Sequence, residues 1–294
     1  MPSAEKAPTF VVGATGTVGR RLTRQLADEC RPVRAATRHP DRYDGPAAAE
    51  PVRFDMTDPS THAPALEGAG SVFLMAPSDT DAYGQLVPFI DAAAAAAGVE
   101  RVALMTAMGV DQAPDEMPLR AAELHLRKSD LAGTILRPNW FDQNFLTYWR
   151  GMIENDGVLR LPAGEAETSF IDAGDIAGVA AAALTDTGGA HDGEGYTLTG
   201  PEALTYHEAA DVLSEAWDRN IRYEPTSDEE ALRLLTETGL DEDYAEMLIG
   251  LFQNVRAGYA APVTPTVEQV TGTAPRSLEA FAHEEAFAHE NAEE

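Results

Sequence analysis

The chain has 294 residues, 44% apolar and 24% charged, the make-up of a globular protein with room for one large domain or two small ones. Its 49 acidic residues against 21 basic ones give a net charge of −28, which repels a phosphate backbone and argues against DNA or RNA as a partner. No apolar run approaches the roughly 18 residues that span a bilayer, "MPSAEKAP" has no apolar signal core, and the single Cys30 closes no intramolecular disulfide, so the expectation is a cytoplasmic protein outside the membrane.

Short apolar runs alternate with helical stretches through the first half. Strands are expected at 9–12 (TFVV), 33–37 (VRAAT), 51–54 (PVRF), 71–75 (SVFLM), 101–105 (RVALM) and 133–137 (GTILR), and helices near 17–29, 60–67, 82–97 and 117–130. Most of these runs are continuously apolar, as strands buried on both faces are. Strand and helix in alternation imply right-handed crossovers, hence an α/β fold with a Rossmann-type, doubly wound parallel sheet over residues 1–150. After about residue 150 the pattern changes. "GVLRLPAG" and "EGYTLTGP" suggest isolated strands, and helices are expected around 205–218, 227–237 and 241–257. Residues 151–294 therefore read as a smaller C-terminal α/β substrate lobe that shares the core, returns parts of itself to the sheet and ends in an acidic tail. "EAFAHE" occurs twice near the end, at 279–284 and 285–290. Its two histidines, His283 and His289, lie six apart on different helix faces, so no metal site is expected.

The stretch "TFVVGATGTVGRR", 9–21, places Gly13, Gly16 and Gly19 three apart where the first strand becomes a helix. Gly13 permits a tight exit from the strand, Gly16 lets the backbone approach a ligand, and Gly19 lets the helix lie close to the sheet. The first amides of the helix have no helical partner and carry the positive end of its dipole, which suits a pyrophosphate. The turn follows the first strand and opens an alternating pattern, so it predicts dinucleotide binding. The second strand ends in "AATRHPDR". Thr37 and Arg38 stand where an NAD-specific site carries an acid for the ribose 2′-hydroxyl, and Arg38 can pair with a 2′-phosphate. NADP(H) is therefore expected over NAD(H). Asp55, after the third strand, is placed either for the adenine amine or to cap the helix near Ser60. Met75–Pro77 closes the fourth strand, and Thr106, in "MTAMG", closes the fifth near where a nicotinamide lies.

Together "VVGATGTVGRRL", "AATRHP", "FLMAPSD", "RVALMTAMG", "TILRPNWFDQNF", "SFIDAGDIA" and "YTLTGPEALTYHEAA" resemble the NmrA-like group of atypical short-chain dehydrogenases, from about residue 9 to 282. That group includes NADPH-dependent quinone and triphenylmethane-dye reductases and redox-sensing regulators. The resemblance implies a cofactor site lined by Gly13, Thr15, Gly16, Thr17, Val18, Arg38, Asp55, Met56, Ala76, Pro77 and Thr106. It places Pro138, Asn139, Trp140 and Phe141 beside the nicotinamide and the substrate, and Asp172 and Asp175 in a conformational loop and helix start of the substrate lobe.

The wider superfamily works through Tyr-x-x-x-Lys, in which the lysine lowers the phenol pKa. Here the only lysines, Lys6 and Lys128, follow Pro2 and Leu124 at that spacing. Some relatives carry a Lys or His on the helix after the fifth strand; this chain shows Leu119, Arg120 and Ala121 there, with His125 and Lys128 later. Thr106 and Asn139 are the remaining weak catalytic candidates. Asn139 and Asn144 are candidates to orient a carbonyl, and Trp140, Phe141, Phe145, Tyr148 and Trp149 are candidate apolar walls that equally well fill a core. Quinones and cationic dyes accept hydride without a dedicated acid if the protein supplies geometry and a dry site. Two classes stand. One is an NADPH-dependent reductase of a small planar, carbonyl, quinone or imine-type acceptor. The other is a non-catalytic NADP(H) sensor acting through a protein partner. The acidity has two readings as well, a solvated soluble surface or a halophilic one whose repulsion is screened at molar salt; melting with and without molar KCl separates them.

Overall fold

The structure, a computed structural model, describes residues 6–76, 84–237 and 239–290, the last five of these by backbone alone. The chain divides into two compact units, one of Met1–Pro138 with Ala173–Thr197, the other of Asn139–Asp172 with Leu198–Glu294.

The first unit is built on β1 (Thr9–Val11), β2 (Val33–Thr37), β3 (Ala49–Arg53), β4 (Ser71–Met75), β5 (Arg101–Met105) and β6 (Ala132–Pro138), joined at the edge by β9 (Gly195–Leu198) in the order β3-β2-β1-β4-β5-β6-β9. Every pair from β3 through β6 is parallel, with Phe10 opposite Arg34 on β2 and opposite Val72 on β4. The order reverses beside β1, since β2 lies on one side of it and β4 on the other. That reversal opens the crevice where doubly wound sheets take ligands. Pro51 sits in β3, an edge strand, where a missing N–H costs least.

Helices α1 (Thr17–Asp28), α2 (His62–Leu66), α3 (Leu86–Ala95), α4 (Pro118–Lys128) and α6 (Ala173–Thr185) flank this sheet. On one side Phe10, Val72, Leu74, Val102, Leu104 and Ile135 pack with Phe89 and Ile90 of α3 and with Ala122 and Leu126 of α4. Each of these valine, leucine, isoleucine and phenylalanine side chains contributes about 1.5–3 kcal/mol of transfer free energy. On the other, α6 packs along α1, and its buried Ala177, Ala180, Ala181 and Ala183 permit a close approach.

The second unit pairs β7 (Val158–Leu161) in parallel with β11 (Arg222–Pro225), and β8 (Glu167–Thr168) antiparallel with β10 (Leu204–Thr205). Around them lie α5 (Arg150–Asp156), α7 (Tyr206–Ala216), α8 (Asp228–Glu237), α9 (Glu242–Arg256), α10 (Thr266–Thr271) and α11 (Leu278–Glu290). Thr205 and Glu208 close a capping box on α7, which fixes where that helix begins. The core is aromatic: Phe145 meets Trp149 at 4.9 Å and Phe170 meets Tyr206 at 5.3 Å between ring centroids. Among the described residues no helix is long and apolar enough to cross a membrane.

Candidate functional site

β1 runs into α1 through the glycine turn. Gly13 lies at φ +70°, a left-handed conformation that residues with a Cβ avoid. Its carbonyl oxygen accepts the Gly16 N–H at 2.8 Å, which closes the turn. Gly19 passes so close to this turn that a Cβ there would stand 2.1 Å from the Gly13 oxygen. A Cβ on Gly16 would meet only the Gly13 oxygen, at 3.3 Å, and otherwise open space. Gly16 is the N-cap of α1. No side chain caps the helix and its first turn holds no acid. Thr15 is exposed, Thr17 half-buried and Val18 buried at the start of the helix. Bare amides, the positive end of the dipole and a cradle that a Cβ would fill together fit a diphosphate.

The carboxyl ends of the neighbouring strands complete the rim. After β2, Thr37 Oγ1 accepts the His39 N–H, and Arg38 is exposed. Asp55 follows β3. Its Oδ1 accepts the Thr57 N–H at 3.0 Å and the Thr57 hydroxyl at 2.8 Å, which holds its carboxyl below the usual range, with the Arg38 and Arg53 charges adding to the effect. The capping alternative for Asp55 falls to Asp58, whose Oδ1 accepts the Ser60 N–H at the start of the turn Pro59–Thr61. Met56 is buried, and the His62 Nε2, itself buried, lies 3.2 Å from the Met56 carbonyl oxygen. Ala76 follows β4 and is half-buried, and Pro77 lies outside the described residues.

Beyond β5, Thr106 is held at both ends. Its N–H donates to the Leu136 carbonyl, and its Oγ1 donates to Glu123 Oε1 at 2.8 Å. Glu123, on α4, is wholly buried and takes Arg137 in a bidentate pair, Nε–H at 2.8 Å and Nη2–H at 2.7 Å, with Arg120 Nη1–H at 3.1 Å. Burial works against the Arg137 charge, but the Glu123 hydrogen bonds and charge outweigh it and raise the Arg137 pKa. The sequence reading passed over this cluster. Two signals were present: an arginine inside the buried run "TILRP", and a glutamate between Ala122 and Leu126, both buried, on α4. Further along α4, His125 Nε2 lies 2.6 Å from Asp91 Oδ1 of α3, and Lys128 is exposed.

Pro138 ends β6 buried, its carbonyl accepting the Met108 N–H. Within the second unit, Asn139 is buried and its Nδ2 donates to the Ala260 carbonyl at 2.7 Å and to Ser169 Oγ at 2.8 Å. Trp140 is half-buried against Trp149 and Phe252. Phe141 bridges Ile171, Asn144 is half-buried and Tyr148 is 69% exposed. Asp172 accepts the Gln143 Nε2–H at 2.8 Å and an Arg276 contact at 3.3 Å, while Asp175 stands in the first turn of α6.

A family model described as NAD(P)H-binding matches residues 13–187, from the glycine turn through α6. The chain belongs to this NAD(P)H-binding family. It is 34% identical to the NAD(P)H azoreductase of Xenophilus azovorans over 95% of this chain and 98% of that one. It is 35% identical to the (4-alkanoyl-5-oxo-2,5-dihydrofuran-3-yl)methyl phosphate reductase of Streptomyces griseus over 96% and 99%. The fold is shared with the NADPH-dependent quinone oxidoreductase of Escherichia coli, at 25% identity and a TM-score of 0.78 over 94% of this chain and 98% of the other. The Citrobacter triphenylmethane reductase complexed with NADP(H) has the same TM-score at 21% identity, over 95% and 99%. The family is one of NAD(P)H-dependent oxidoreductases, and its match begins at Gly13 of the glycine turn.

Proposed function

We propose that this NmrA-like protein is an NADPH-dependent reductase of small, planar, conjugated acceptors: quinones, imines, azo compounds or enones. The observation that carries the reading is the end-to-end match, through both units, to relatives named as reductases. Gly13, Gly16 and the first turn of α1, Thr15, Thr17 and Val18 included, hold the diphosphate. Arg38 selects the phosphorylated nucleotide: it is exposed at the end of β2 and makes no ion pair among the described residues. A charge-assisted contact of this kind contributes about 1.5–3 kcal/mol, roughly a ten- to hundredfold preference. Asp55, Met56 and Ala76 border the adenosine and central parts of the site, and Thr106 and Pro138 border the nicotinamide.

The bound dihydronicotinamide supplies the hydride. Acceptor contact is assigned to Trp140, whose half-buried indole offers a flat face, with Asn139, Phe141 and Asn144 in the same segment. The sequence holds no Tyr-x-x-x-Lys, so the proton that completes the reduction is assigned to water, and catalysis rests on orientation.

The test is NADPH oxidation followed at 340 nm across quinones, azo dyes, imines and enones. Turnover of at least one class, with NADPH used in preference to NADH, is expected. Tight NADPH binding with no turnover across the panel would overturn the reductase reading in favour of a dinucleotide sensor that acts on a protein partner.

A further inference from the structure

The buried cluster behind Thr106 decides what its hydroxyl can do. A carboxylate only accepts hydrogen bonds, and a threonine hydroxyl has a single proton to give. The Thr106 proton goes to Glu123 Oε1 at 2.8 Å. The carboxylate cannot turn away, because Arg137 grips both of its oxygens and Arg120 holds Oε2. Nor can the backbone of Thr106 swing, since its N–H is bonded to the Leu136 carbonyl. The hydroxyl is therefore locked with its proton inward and its lone pairs outward.

Thr106 stands at the carboxyl end of β5, next but one to β1 in the sheet, along the edge where open parallel sheets bind ligands, and it retains 9% exposure. A nicotinamide carboxamide brings an NH2 group with two donors. The nearby strand-end carbonyls each already accept one N–H, Leu136 from Thr106 and Pro138 from Met108, which leaves each a single lone pair. We propose that Thr106 Oγ1 is the acceptor for the carboxamide NH2, with Glu123 as the positioning residue that fixes its polarity. This inference rests on the cofactor site of the reductase reading. It makes Thr106 an anchor for the ring and removes it as a proton donor to the substrate.

The test is a fluorescence titration of the full chain with NADPH and with its 3-acetylpyridine analogue, in which a methyl group replaces the amide nitrogen. The parent should bind NADPH roughly three- to tenfold more tightly than the analogue, the range one neutral hydrogen bond gives. Thr106→Val should weaken NADPH by that factor and leave the analogue unchanged, and Thr106→Ser should restore the preference. Equal weakening of both ligands by Thr106→Val, or a parent without preference, would overturn the assignment while NADPH binding itself stands. If Thr106→Val does not fold, the parent and Thr106→Ser decide alone: both must prefer NADPH, and either one binding the two ligands equally overturns it. A parent that binds neither nucleotide overturns the cofactor reading as well.

Discussion

Alanine at position 19 would place a methyl carbon 2.1 Å from the Gly13 carbonyl oxygen, 2.6 Å from the Gly13 carbonyl carbon and 3.0 Å from the Ala14 nitrogen. All three are backbone atoms, so no rotamer relieves the overlap. A tolerable carbon–oxygen contact begins near 3.3 Å, so the turn and α1 must separate by about 1.2 Å. Overpacking of this kind costs about 1–3 kcal/mol, and a clash with backbone belongs at the upper end. The better helix propensity of alanine returns about 1 kcal/mol. The net loss is about 2 kcal/mol, or a fall in Tm of roughly 4–8 °C. Two controls isolate the cause. Gly250 lies in α9 with nothing near its missing Cβ, so Gly250→Ala should stabilise by about 0.5–1 kcal/mol. Gly16→Ala meets only one oxygen at 3.3 Å and should cost about 0.5–1 kcal/mol as an N-cap change, yet weaken NADPH at least tenfold, because its methyl stands where the diphosphate approaches the amides. Thermal melts by circular dichroism and NADPH titrations measure both quantities. Gly19→Ala with parental Tm would refute the packing argument, and Gly16→Ala with parental NADPH affinity would refute the placement of the diphosphate.

Other expected outcomes test separate links. Arg38→Ala should weaken NADPH ten- to hundredfold and NADH by less than threefold in the same titration; equal losses would reject its role with the 2′-phosphate. Glu123→Leu leaves the Arg137 guanidinium, 7% exposed, with Asp111 at 4.0 Å in place of its bidentate carboxylate and should destabilise by about 3 kcal/mol in urea, whereas Glu123→Leu/Arg137→Met should recover most of that loss. A double variant no more stable than the single one would show that the uncompensated charge is not the cause. Burial pushes the Tyr223 phenol up to about 12 from an ordinary value of 10, and the Tyr206 phenol upward too. A raised folded pKa gives stability that is complete below pH 10 and lost as pH climbs from 10 to 12, so urea midpoints should fall across that window. Tyr223→Phe should flatten the fall, and an unchanged slope would remove Tyr223 as its source.

The alternating half of the fold was legible because its central strands are buried on both faces and read as mostly apolar runs; β2, which Arg34 interrupts, β4 and β5 stand at the expected residues, while β3 at the edge is largely exposed. Strand β11 was not, since Arg222 and Glu224 are solvent-facing partners of each other and mask the Tyr223 that packs inward. That Ala173–Thr185 lies along α1 was equally hidden, because a helix apolar nearly all round marks no single face for a partner. Asn139 illustrates the limit for site residues. Its type suggested a group aimed at a carbonyl substrate, whereas its amide hydrogens go to Ser169 and to the Ala260 carbonyl, 121 positions away in the chain. A long-range bond of that kind leaves no local pattern.

The glycine turn stood out in the sequence for a reason that goes beyond its spacing. This chain is rich in acids and places them at several helix starts, though not at those of α2 to α5: α8 opens with Asp228, Glu229 and Glu230, and α9 with Glu242 and Asp243, where a negative charge contributes about 0.3–1 kcal/mol against the dipole. α1 does the reverse. Its first turn has no acid, and Arg20 and Arg21 follow, cations set toward the positive end of the helix. In a protein of net charge −28 that choice works against the helix itself. Arg20 is met by Asp44 at 3.2 Å and Arg21 by the Thr17 carbonyl at 2.9 Å, so the amides are what the turn leaves without a side-chain partner, and on the cofactor reading proposed above a diphosphate is the anion that meets them.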